Sequence, residues 1–191
     1  MDSLRRVVVI VAALNLAYFG VEFAVAIAIG SVSLFADSVD FLEDALINFL
    51  VFAALPWSAD RRRTVGSILA FVLLVPALAA LWTAVAKILD PYPPAPVPLT
   101  VTAFGALLVN LTCAILLVRR RHHAGSLTQA AWLSARNDAI ANLAIIAVGI
   151  ATVWIATGWL DIVVGLGIAL LNADAARDVW KAARRETDPT P

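Results

Sequence analysis

The 191-residue sequence predicts an all-α integral membrane protein of six spanning helices. Three observations carry that prediction. Apolar residues make up 62% of the chain and charged ones only 15%, far from the 45–50% apolar share of soluble domains, and the mean hydropathy is +0.89. The apolar residues fall into six segments near the roughly 20 residues that cross about 30 Å of hydrocarbon. The basic residues, finally, gather at alternate ends of those segments.

The spans run over 7–30, 32–56, 64–89, 98–118, 127–157 and 159–180. Short polar connections "ADRRR" (59–63), "RRRHH" (119–123) and "TGWLD" (157–161) separate three pairs of them. "DPYPPAPVP" (90–98) separates the third from the fourth, because repeated prolines withdraw backbone donors and hold the chain extended. Pro76 should kink the third span. If the six helices alternate, Arg5, Arg6, Arg61, Arg62, Arg63, Arg119, Arg120, Arg121, Arg177, Lys181, Arg184 and Arg185 share one side. The positive-inside rule then puts both termini in the cytoplasm of a multi-pass inner-membrane protein. Residues 1–185 form the transmembrane domain and 186–191 a short cytoplasmic tail. Lys87 and Arg136 are left out of this pattern. The first span also resembles a secretory signal with small residues at "AVA" (24–26), but it runs too long and carries Asn15 and Glu22 on one helical face.

Composition excludes several functions. Formal net charge is zero, so nothing points to nucleic acid. The single Cys113 excludes a disulfide framework and a cysteine-rich zinc site. No nucleophile–base constellation or nucleotide loop suggests an enzyme or a permanent cofactor.

The chemistry lies in the second and fifth spans. "SVSLFADSVDFLEDALINFL" (31–50) holds four acids in one apolar stretch. At 3.6 residues per turn Asp37, Asp40 and Asp44 fall within a sector of about 60°, Asn48 continues the stripe, and Glu43 points away from it. Each intramembrane acid costs at least ~2.5–3.5 kcal/mol to insert and ordinarily faces the bundle interior, so aligned carboxylates imply a cation or protons. In "WLSARNDAIANLAII" (132–146), Ser134, Asp138 and Asn142 occupy successive turns of one face. The two spans share the pattern D-A-x-x-N, at Asp44–Asn48 and Asp138–Asn142, in oppositely directed helices three spans apart, as an inverted repeat would give. At about 1.5 Å per residue, Asp44 and Asp138 both reach the bilayer midplane, from opposite sides.

Several of these residues have plainer readings. Asp37 could cap or hydrate the outer end of span two, Ser134 could serve helix packing, and Glu22 could hydrogen-bond a neighbouring span or join a proton route. His122 and His123 sit in a solvated loop. Arg136, on the face opposite Asp138, must snorkel or pair with an acid, and Glu43 is the candidate.

The run "GSVSLFADSVDFLEDA" (30–45) resembles the second-helix signature of the cation diffusion facilitators, which export divalent transition metals in exchange for protons. The similarity extends to the Asn15…Glu22 helix, the Arg-rich second loop, the Pro-rich loop after "KILD" (87–90), "VN" (109–110) and "AGSLTQAAWLSARNDAIANLAIIAVG" (124–149). The resemblance implies a six-helix cation-efflux bundle, a homodimer, and a metal quartet at Asp40, Asp44, Ser134 and Asp138. Asp37, Glu22, Asn48 and Asn142 would then form surrounding contacts or a proton path. The chain departs from the family at three points. Ser134 stands where histidine is frequent, a histidine-rich loop is missing, and the sequence stops shortly after span six, before the cytoplasmic domain of many members. Zinc, cobalt and manganese are the metals in view, and an oxygen-only ligand set leans toward manganese or iron. Two rival functions are proton-coupled transport of an organic cation and a transport-inactive membrane subunit.

Overall fold

Six helices make up the regular structure among the described residues. The computed structural model describes residues 2–54, 64, 78–118 and 125–171, with side chains over 6–49, 64, 78–118 and 137–171. The helices are α1 (Asp2–Ile29), α2 (Val32–Ala54), α3 (Leu78–Leu89), α4 (Pro96–Val118), α5 (Gly125–Thr152) and α6 (Trp159–Leu171). Pro76, the "ADRRR" and "RRRHH" loops and residues 172–191 lie outside the described residues, so the expectations for them remain as stated.

Two of the helices are long and apolar enough to cross a membrane by length and composition, over Arg6–Ile29 and Pro96–Val118. Of the other long helices, α2 carries four acids within residues 37–44 and α5 carries Asp138. In α5 the stretch with described side chains, Asn137–Thr152, is apolar as well.

The turn between α1 and α2 takes only Gly30 and Ser31. Gly30 has φ +62°, a left-handed conformation that L side chains rarely adopt. Its N–H donates to the Ile27 carbonyl (3.4 Å) and the Ser31 N–H to that of Ala26 (3.0 Å). This paired closure satisfies the last carbonyls of α1 and reverses the chain, so α1 and α2 pack side by side along their length. A tyrosine ring, Tyr92, seals the turn from outside: any Cβ at Gly30 would strike its hydroxyl.

Two of the helix boundaries that differ from the sequence expectation have a plain cause or consequence. The proline-rich stretch ends sooner, because α4 begins at Pro96 and includes Pro98. A proline in the first helical turn loses no bond, since those N–H groups have no partner inside the helix. At the other end, α5 stops at Thr152 rather than near residue 157. The chain then turns through 153–158, and the Gly158 N–H donates to the Pro91 carbonyl (3.0 Å), which ties this turn to the α3–α4 connection.

All six helices contribute to the main core. Ala26 from α1, Leu34 and Phe35 from α2, Ala80 from α3, Leu99 and Ala103 from α4, Ile145 and Val148 from α5, and Ile168 from α6 form one buried cluster. Large apolar side chains such as Leu16, Ile27, Val101, Phe104 and Leu170 point outward and are exposed, as the lipid-facing surface of a membrane bundle requires. Among the described residues, α4 packs along α5 and against α1, whereas α2 meets α5 over a short stretch. That stretch is where the acids are.

Candidate functional site

Asp40, in the third turn of α2, lies beside Asp138 of α5, and their carboxyl groups come within hydrogen-bonding reach of each other. Asp44, one turn further along α2, is a further acid near both. A carboxylate only accepts hydrogen bonds, so the Asp40–Asp138 contact needs something positive between the two groups, either a proton or a metal ion. Asp40, Asp44 and Asp138 are each partly buried. Among the described residues, no three His, Cys, Asp or Glu side chains converge closely enough to close around one metal ion. The acids meet as a pair with a third carboxylate alongside.

The D-A-x-x-N repeat has a structural counterpart. Asn48 Nδ2 donates to the Asp44 carbonyl (2.8 Å), and Asn142 Nδ2 donates to the Asp138 carbonyl (2.8 Å). Each asparagine thus bonds back to the main chain of the aspartate one turn earlier and leaves that aspartate's side chain to other partners. Asn142 is fully buried, and its Oδ1 has no partner among the described residues. The two helices therefore present their aspartates through the same local device.

A second acid pair lies one turn away. Glu22 of α1 and Asp37 of α2 are wholly buried and face each other at hydrogen-bonding reach, and among the described residues none of their four carboxyl oxygens meets a donor. Tyr18, one turn before Glu22, does not supply one, because its hydroxyl donates to the Thr102 carbonyl (2.6 Å). Asp37 does not cap α2, being too far into the helix. Of the remaining expectations, the side chains of Ser134 and Arg136 lie outside those described, so neither a Ser134 ligand nor an Arg136–Glu43 pair is placed; Glu43 itself is partly buried. His122 and His123 are outside as well.

The sequence reading missed the most heavily bonded acid, Asp161, which it assigned to a short connection. Asp161 is fully buried in the first turn of α6. Its Oδ1 accepts from Ser31 Oγ (2.7 Å), Ser33 Oγ (2.6 Å) and the Ser33 N–H (3.1 Å). Its Oδ2 accepts from the Val32 N–H (2.8 Å) and Lys87 Nζ (2.8 Å). Lys87, 3% exposed, also donates to the Gly30 carbonyl (2.5 Å) and lies 4.9 Å from the centre of the Tyr92 ring. Ser31 Oγ in turn accepts the Leu34 N–H (3.2 Å), so the first three N–H groups of α2 are all satisfied, two of them by a carboxylate from another helix. A signal for this was present. Lys87 was the unexplained cation of span three, and six alternating spans put it at the same bilayer face as Asp161 and the Ser31-x-Ser33 entry to α2.

Comparison with protein families gives one match: the cation efflux transmembrane domain, over residues 8–186. No curated protein matches the sequence. The matched region takes in α1 from residue 8 onward, the other five helices, both acid pairs and the Asp161 cluster. By that match the chain belongs to the cation efflux family, the cation diffusion facilitators, and is a membrane protein of a family that transports metal cations.

Proposed function

We propose that the protein is a proton-coupled secondary transporter that exports a divalent transition-metal cation from the cytoplasm. In the loaded state Asp40, Asp44 and Asp138, which are not closed around one ion in this arrangement, draw together as its ligands, with Ser134 completing the set. The observation that carries this reading is the contact between Asp40 and Asp138, which brings acids from two helices of opposite direction together inside an apolar bundle. The family match supplies the class of cargo.

Each step of the cycle follows from the carboxylates. Without metal, neighbouring acids in a medium of low polarity keep protons between them. A dication arriving from the cytoplasm binds deprotonated ligands, so its entry expels those protons. Helices α2 and α5 then rock relative to the other spans and open the site on the far side, where protons return and metal leaves. An oxygen-only set of three carboxylates and a hydroxyl favours manganese or iron over zinc, which prefers imidazole and thiolate. In this reading the chain is multi-pass in the cytoplasmic membrane, has both termini inside, and works as a homodimer.

The test is metal-stimulated proton flux in proteoliposomes, run with Zn, Co, Mn, Fe and Cd. Wild-type protein should exchange protons for at least one of them, and Asp44→Asn and Asp138→Asn should abolish the exchange while still inserting. Undiminished exchange in both variants would overturn the assigned site.

A further inference from the structure

The acids of α2 lie a fixed distance from a much firmer structure at the helix's first turn. Asp161 receives five hydrogen bonds there, from the backbone and side chains of residues 31–33 and from Lys87. Lys87 comes from α3 and Asp161 from α6, so two other helices hold the start of α2. Gly165, one turn beyond Asp161, lets α6 come in against the α2 backbone: a Cβ there would stand 2.7 Å from the Val32 carbonyl carbon and 2.8 Å from the Ser33 nitrogen. Val32, Ala84 and Ile162 form a small buried cluster beside the ion pair. Among the described residues, α2 meets α5 over a short stretch around the acids.

We propose that Asp161 and Lys87 are positioning residues that clamp the first turn of α2, so that α2 swings about this end as the cation passes; this rests on the transport reading above. The α1–α2 hairpin, packed along its length, moves with it. At about 1.5 Å per residue, Asp40 lies ~12 Å and Asp44 ~18 Å from Val32. A swing of about 10° on those arms displaces them by roughly 2 Å and 3 Å. Metal–oxygen bonds tolerate only a few tenths of an ångström around ~2.0–2.2 Å, so a small rotation assembles or dismantles the site. A buried carboxylate parted from five donors would be left as an uncompensated charge, which makes the clamp the stationary part and the acid-bearing length of α2 the moving part.

Hydrogen exchange on the full-length protein tests this, with Zn²⁺ or Mn²⁺ as probe and with no metal. In wild type, the Val32 and Ser33 amides should exchange equally slowly in all three states, while amides around Ile47–Phe49 change with metal. In the neutral double variant Lys87→Met/Asp161→Asn, which leaves no unpaired buried charge, the first-turn amides should exchange about tenfold faster, as the loss of a helix cap implies. They should also become metal-sensitive. The clamp is overturned if wild-type first-turn amides respond to metal as strongly as Ile47–Phe49, or if a folded double variant leaves their exchange unchanged. Should the double variant not fold, the wild-type comparison decides alone. Metal that alters exchange nowhere in the wild type would instead refute the transport reading.

Discussion

Asp161 and Asp40 are both aspartates in apolar helices of one bundle, and their surroundings are opposite. Asp161 has five donors, one of them an ammonium group. Asp40 has as its main neighbours other acids: Asp138, Asp44, Asp37 and Glu43. A buried charge with its lone pairs satisfied is fixed in place, because every movement costs a bond. Acids that face only acids must borrow a positive charge, and what is borrowed can be exchanged. The contrast separates a structural end of α2 from a chemical middle.

Substitutions should therefore act in opposite ways in the two regions. The largest stability effect is expected from Asp161→Ala, which strands Lys87 in the interior and uncaps α2. About 3–5 kcal/mol should be lost, seen as a steep drop in melting temperature of the purified protein and in membrane yield. Asp138→Asn should do the reverse. It removes a like-charge contact and supplies a donor, so the melting temperature should hold or rise while metal-driven proton flux disappears. If Asp138→Asn unfolds the protein as Asp161→Ala does, the division between the regions fails.

Smaller effects sharpen the comparison. Ser31→Ala removes the hydroxyl that accepts from Leu34 and donates to Asp161 and should cost about 1–2 kcal/mol in thermal unfolding, with metal affinity preserved. Glu22→Gln offers an amide donor to the unpartnered Asp37 oxygens and should stabilise by about 1 kcal/mol. A destabilised Glu22→Gln would mean that the pair already has a donor.

Much of the acid site could be seen in the sequence because it obeys local rules. The spacing of Asp37, Asp40 and Asp44 sets a stripe through helix periodicity alone, and the matching D-A-x-x-N segments identified the two helices that meet. Both asparagines then make the same bond to the preceding turn. The clamp obeys no local rule. Ser31, Lys87 and Asp161 come from three distant parts of the chain, with 130 residues separating Ser31 from Asp161, and no periodicity links a lone lysine to a lone aspartate. Helix limits were also hard to fix where capping decides them. Pro96 starts α4 because a first-turn proline sacrifices no hydrogen bond, and proline content alone suggested the opposite.

The central claim is that acids on α2 and α5 together hold one dication, and equilibrium binding of Mn²⁺ or Zn²⁺ to purified protein addresses it most directly. Wild type should bind one ion per chain, at an affinity that falls at least tenfold in Asp40→Asn and in Asp138→Asn, with much less than additive loss in the double variant. Full binding with either residue replaced, or fully additive losses, would show that the two helices do not share an ion.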